Sequence, residues 1–280
     1  MIAEQPNVSL RLASQPENVA LVRETLTGVA EAIRLDPNDL NDIRTAATEA
    51  CNNVVLHAYG GEEGSLEVEV FISTSAIEVV VRDHGSGIQP RIRTSDDDAL
   101  GIGISIIQAL AQRVEFMDVA GGGTEVRMEF DTPGTRAIPP AKDDGFELPA
   151  LGSDGSSATT AVAIAPSDLA RTVLPRVLSV LAARAHFTTD RISDAQLVAD
   201  ALVPQRGEST DADRLAVSVT VEPRTLQLHI GPLDSGSARR LIAESAIDGL
   251  GPVIERLVDD HQVATVGASE VLALRLVDKR

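Results

Sequence analysis

The segment TEACNNVVLHAY, Thr48 to Tyr59, is helix-length and mostly apolar, and its functional side chains recur every four residues. At 3.6 residues per turn, Glu49, Asn53 and His57 fall along one face, each about one turn beyond the last. Ala46, Ala47, Ala50 and Val54 surround that line with apolar surface. Such a helix must lie partly inside a domain, and it carries a carboxylate, an amide and an imidazole in with it.

The neighbouring segments define what it packs against. Val19, Val22, Leu26, Val29 and Ile33 recur at three and four and mark an amphipathic helix. Leu66, Val68, Val70 and Ile72 alternate with polar positions, as do Ile77, Val79 and Val81, then Val126, Met128 and Phe130. These alternations predict half-buried strands. The order strand, helix, helix, two strands, loop, helix, two strands predicts an α+β fold. Its form is a two-layer α/β sandwich, a mostly antiparallel sheet covered on one face by helices.

Two glycine-bearing segments add chemistry. DHGSGI (Asp83–Ile88) follows an apolar strand, and LGIGISII (Leu100–Ile107) opens a helix. A strand-end carboxylate at Asp83 suits the exocyclic amine of adenine, and it equally suits a simple turn before glycine. Gly85 and Gly87 let backbone approach a flat base with no Cβ in the way. Gly101 and Gly103, where a loop becomes a helix, leave amides and the positive end of the helix dipole for phosphate oxygens. Together these groups outline an ATP site.

In order and spacing the three segments resemble the nucleotide-binding boxes of the Bergerat-fold, or GHKL, ATPase superfamily of gyrase and histidine kinases. Within it they are most similar to the anti-sigma factor serine/threonine kinases. The resemblance covers about the first 135 residues. It implies that Glu49 is the general base, that Asn53 holds Mg²⁺, and that His57 and Tyr59 close the helix motif. His57 either touches phosphate or is structural. The resemblance also makes Thr124, which follows three glycines, the threonine that supports Asp83; alone it reads as an ordinary strand residue. QPRIRTSDDDAL, residues 89–100, would be the lid over the nucleotide.

Residues 136–158 are rich in Pro, Gly, Ser and Asp and read as a linker. Beyond it, 159–280 repeats the plan of 1–135, so a histidine-kinase-like domain duplicated in tandem is expected. The second copy has lost its chemistry. Ala201 stands for Glu49, Gln205 for Asn53, Pro204 breaks the helix, and Ala238 replaces a glycine, while Asp234 and Gly236 remain.

At 280 residues the chain has room for two cores, and its formal charge of −18 disfavours nucleic acid and anionic membranes as partners. Its one cysteine, Cys51, allows no intrachain disulfide, and no apolar run is long enough to span a membrane, which suits a cytoplasmic protein.

The function implied by the resemblance is a kinase that uses ATP and Mg²⁺. It would bind a sigma factor and phosphorylate an anti-anti-sigma protein, as a homodimer or as an intrachain pseudo-dimer. The alternative is a non-catalytic, ATP-gated binding protein.

Overall fold

A computed structural model describes residues 5–86, 97–136, 138, 139, 141, 146, 159–203, 214–247 and 251–279. The chain divides into two compact units, Met1–Asp143 and Asp144–Arg280.

The first unit runs β1 (Val8–Ala13), α1 (Pro16–Ile33), α2 (Pro37–Asn53), a π-helical turn (Val54–Ala58), β2 (Ser65–Ile72), β3 (Ala76–Asp83), α3 (Asp97–Leu110), β4 (Arg113–Asp118) and β5 (Thr124–Asp131). Its strands lie in the order β1-β2-β3-β5-β4, each antiparallel to its neighbour. The alternation read from the sequence sets the faces. Leu66, Val68, Val70 and Ile72 are buried, whereas Glu67 and Glu69 share the opposite face with Arg82.

That opposite face carries a charge ladder across four strands. Arg11 bonds Glu67 at 2.9 Å, Arg82 Nε donates to Glu125 at 2.7 Å, and Arg127 Nε donates to the other oxygen of Glu125 at 2.7 Å. Cross-strand opposite charges of this kind let a sheet face be polar without repulsion between neighbours.

Local signals account for the helices. Pro37 occupies the first turn of α2, and the Asp36 carboxylate accepts the Asn38 amide at 2.8 Å, an N-cap that satisfies an otherwise orphaned donor. Ile43, Ala46, Ala47, Ala50 and Cys51 form the buried stripe of α2, and the small side chains let it pack closely. Helix α1 stops at Arg34, which takes a left-handed conformation, with the Leu35 amide returning to the Ala30 carbonyl at 2.9 Å.

The second unit runs β6 (Thr159–Ile164), a short 3-10 turn, α4 (Ala170–Arg184), α5 (Thr189–Ala201), β7 (Leu215–Glu222) and β8 (Thr225–Leu233). It continues with α6 (Ser237–Glu244), a small hairpin of β9 (Ala246–Ile247) and β10 (Gly251–Pro252), α7 (Val253–Leu257), β11 (Asp260–Val266) and β12 (Ser269–Val277). Its main sheet has the order β6-β7-β8-β12-β11, again antiparallel throughout.

Several positions of the two units can be set side by side, although β9, β10 and α7 have no counterpart among the described residues of the first. His186 adopts the left-handed conformation just after α4, as Arg34 does after α1, and the Phe187 amide returns to Ala182 at 3.0 Å. With Arg34 set on His186, buried Val173, Leu174, Leu178 and Leu181 fall on buried Leu21, Val22, Leu26 and Val29. Ala195, Val198 and Ala199 of α5 fall likewise on Ile43, Ala46 and Ala47 of α2. Helix α5, however, ends at Ala201, the position of Glu49, and Leu202 and Val203 have already left the helix. Pro204 and Gln205 lie outside the described residues. Asp234 is exposed in a turn, whereas Asp83 is buried.

Candidate active site

The site gathers at the C-terminal end of α2, the end of β3, the turn before β5 and the first turns of α3. Glu49 and Asn53 sit one helical turn apart on α2, both half-buried. Among the described residues neither side chain has a hydrogen-bond or ion-pair partner. Gly103 of α3 lies directly against them. A Cβ built there would stand 3.1 Å from Glu49 Oε2 and 3.5 Å from Asn53 Oδ1. Gly103 therefore lets α3 reach the part of α2 where the Glu49 carboxylate and the Asn53 amide oxygen lie side by side.

Two expectations about these helices need correction. Helix α3 begins at Asp97, so Gly101 and Gly103 lie within its first two turns and not at its first exposed amides. The N-terminal amides that have no intrahelical partner come earlier in the chain. Second, the α-helical register stops at Asn53. Val54–Ala58 form a π turn, so His57 does not continue the α-helical stacking of Glu49 and Asn53. Wider π turns interrupt helices where a local demand outweighs regular hydrogen bonding. Here the turn ends where Ala58 and Tyr59 meet the loop after β3, the Ala58 carbonyl accepting the Ser86 amide and the Tyr59 hydroxyl the His84 amide.

Asp83 is 4% exposed at the end of β3. Alternation places it on the same side as Val79 and Val81, with Arg82 on the charged face. Burial raises its pKa from the ordinary aspartate value, opposed by backbone hydrogen bonds from Gly85 and Thr124 and by the charge of His84. The Gly85 amide donates to Asp83 Oδ1 at 2.8 Å. Thr124 thus supports Asp83 through its main chain.

Gly85 does more than clear room for a base. A Cβ on it would lie 2.1 Å from the Ala58 carbonyl oxygen, which also accepts the Ser86 amide at 3.0 Å. Gly123, at φ +106°, approaches so closely that a Cβ would stand 2.1 Å from the Asp83 carbonyl oxygen. The turn before β5 is thereby clamped to the strand end that holds the carboxylate. Gly87 and residues 89–96 of the expected lid lie outside the described residues.

Tyr59 was legible only as the last letter of a motif. In the structure its hydroxyl donates to the Ser65 carbonyl at 2.6 Å and accepts the amides of Ser65 at 3.1 Å and His84 at 2.9 Å. No local pattern foretells these bonds. The one usable signal was Gly64, where a Cβ would fall 2.1 Å from the tyrosine ring. Cys51, between Glu49 and Asn53 in sequence, is fully buried, and its thiol pKa is pushed up to about 12 by that burial, so it is inert.

A two-layer α/β unit with a carboxylate and amide on one helix, a buried strand-end aspartate and a glycine-bearing helix against them defines a nucleotide-binding ATPase domain of the histidine-kinase type. The profile of the histidine kinase-like ATPase domain matches residues 12–130. The anti-sigma F factor of Thermoanaerobacter sp. (strain X514) is 31% identical over 131 residues, covering 43% of this chain and 90% of that protein. The serine-protein kinase RsbW of Bacillus pumilus (strain SAFR-032) is 29% identical over 136 residues, 43% of this chain and 83% of that protein. RsbW of Bacillus subtilis (strain 168) is 27% identical over 127 residues, 41% of this chain and 79% of that protein. The chain belongs, through its first unit, to the histidine kinase-like ATPase family, in the branch that holds these anti-sigma factors and kinases. Among the described residues no helix is long and apolar enough to cross a membrane.

Proposed function

We propose that the chain is an ATP-dependent serine/threonine kinase of the anti-sigma type, which binds a sigma factor and phosphorylates an anti-anti-sigma protein. The observation that carries this reading is the placement of Glu49 and Asn53 against Gly103, half-exposed and with no hydrogen-bond or ion-pair partner among the described residues. An idle carboxylate beside an idle amide oxygen is costly to keep for structure alone and suits a base beside a metal ligand. The 29% identical kinase from B. pumilus and the 31% identical anti-sigma F factor support the same assignment.

The residues present fit ATP and Mg²⁺. Asp83, buried at the end of β3, would accept a hydrogen bond from the adenine amine, and Gly103 in the second turn of α3 brings that helix against Glu49 and Asn53 with no side chain between. Asn53 would hold the ion by its amide oxygen. Among the described residues no group of three or more His, Cys, Asp or Glu is arranged for a metal, so phosphate and water would complete the shell. When bound, the nucleotide supplies the γ-phosphoryl group and the ion neutralises its charge. The Glu49 carboxylate would accept the proton of the attacking seryl or threonyl hydroxyl as that hydroxyl's oxygen takes the γ-phosphoryl group and ADP leaves. Leu56 and Ile102, large apolar side chains exposed on the π turn and on α3, suit a protein that brings that hydroxyl.

The second unit we read as a degenerate copy that keeps the fold and lacks the site. The shared element order, the matched buried positions and the left-handed Arg34 and His186 support that reading. The end of α5 at Ala201 and the exposure of Asp234 support the loss of chemistry. We take this unit as a pseudo-partner for the first.

Calorimetric titration of the full chain with ATP and Mg²⁺ tests the site, with one nucleotide expected per chain and none in Asp83→Asn. Glu49→Gln should bind ATP as before and lose phosphoryl transfer to the protein substrate, by about 10²- to 10⁴-fold. Control of the partner that survived Glu49→Gln unaltered would favour an ATP-gated binding protein instead.

A further inference from the structure

The β2–β3 ladder ends at the pair Leu66 and Asp83, so the next rung would set Ser65 opposite His84. The Tyr59 hydroxyl occupies that rung. It donates to the Ser65 carbonyl at 2.6 Å and accepts the Ser65 amide at 3.1 Å and the His84 amide at 2.9 Å. One donor and two lone pairs exhaust what a phenol can offer, so the hydroxyl is fully committed to the main chains of two strands. Its ring lies where any side chain at position 64 would have to be, 2.1 Å from a Cβ built on Gly64.

The consequence falls on Asp83. With the hydroxyl inserted, β3 stops pairing with β2 at Asp83, and His84 to Ser86 turn away to meet the end of α2. There Gly85 lies against the Ala58 carbonyl, which accepts the Ser86 amide at 3.0 Å. Two adjacent residues, Ala58 and Tyr59, therefore hold the loop after Asp83, and they close the π turn that follows the helix carrying Glu49 and Asn53.

We propose that Tyr59 is a positioning residue for purine recognition: its hydroxyl ends β3 at Asp83 and so sets the reach of the carboxylate toward the adenine amine. The proposal rests on the ATP reading above. Tyr59 touches no reacting atom. In Tyr59→Phe the Ser65 carbonyl and the His84 amide are left to pair directly, the ladder lengthens by one rung, and Asp83 shifts with it.

The test compares the full-length protein with Tyr59→Phe, measuring KM and kcat for ATP and the binding of ATP and GTP. The expected result is a KM for ATP raised about tenfold, kcat at saturation within twofold of the parent, and a narrowed preference for ATP over GTP. A merely structural role would lower stability without moving the ratio of the two nucleotides in the folded fraction. Unchanged KM and unchanged ATP preference would overturn the proposal while leaving the ATP reading intact. Failure of the parent protein to bind ATP would overturn both.

A second measurement needs no variant. Amide hydrogen exchange at His84 and Ser65 of the parent chain should slow when ATP binds, because base binding stiffens the bridged rung. Binding of ATP with no change at either amide would also overturn the proposal.

Discussion

Gly103 and Glu49 come so close that a Cβ on the glycine would stand 3.1 Å from the carboxylate Oε2. Glycine in the interior of a helix is a poor choice for stability, costing up to about 1 kcal/mol against alanine. Its presence in α3 is explained by what it faces, since Asn53 Oδ1 lies only 3.5 Å from the same point. This conflict between helix propensity and the site yields a prediction in which stability and activity part.

Gly103→Ala should leave the melting temperature unchanged or higher, through better helix propensity. Phosphoryl transfer should fall about 10-fold, because the added methyl, 3.1 Å from Oε2, makes the Glu49 carboxylate give way by a few tenths of an ångström, while Asn53 Oδ1 at 3.5 Å stays in ordinary contact. Thermal unfolding and a transfer assay on the same preparation check it. Loss of stability together with retained transfer would contradict it.

Gly123→Ala should be far more damaging than Gly121→Ala. Both residues have positive φ, +106° and +97°, but only at Gly123 would the Cβ meet backbone, 2.1 Å from the Asp83 carbonyl oxygen. The open site at Gly121 should cost about 1–2 kcal/mol for the left-handed backbone alone. Gly123→Ala should cost about 2–4 kcal/mol, read from denaturant midpoints, and weaken ATP binding by displacing Asp83.

Asp83 gives a pH dependence of definite sign. Burial raises its pKa in the folded chain despite the amides of Gly85 and Thr124. The neutral acid is therefore the form that folding prefers. Its contribution is fully present below the ordinary aspartate pKa and is lost as pH rises through the raised value. The melting temperature of the parent relative to Asp83→Asn should fall as pH rises through that range, and a constant difference would refute the assignment.

Glu125 behaves oppositely. Burial works against its charge, but hydrogen bonds from Arg82 and Arg127, aided by their charges, outweigh it and lower its pKa. Its contribution is present above the ordinary glutamate range and disappears as pH falls through the lowered value. The parent should be more stable than Glu125→Gln near pH 7, with the gap closing on acidification in parallel thermal melts.

Much of the fold was legible in the sequence because it is written in short periods. The alternation of Leu66 to Ile72 appears directly as alternating burial in β2, and the three-four spacing of Val19 to Ile33 as the buried stripe of α1. The start of α3 was misplaced. LGIGISII carries the apolar period, but the helix begins earlier, at Asp97, in an acidic stretch whose aspartates are the residues that favour a helix N-terminus. The π turn was also hidden, since the Ala58 carbonyl that ends it is bonded by Ser86, a residue of the loop after β3.

The chain's own order of residues determined that Glu49 and Asn53 share a helix face and that Asp83 ends an apolar strand, because both follow from periods of a few residues. Only tertiary structure decided that Gly103 would touch Glu49, that Tyr59 would stand in for a rung between Ser65 and His84, and that Gly123 would press on Asp83. Those contacts join segments far apart in the chain, and their geometry is set by how tightly whole elements pack, which no local pattern encodes.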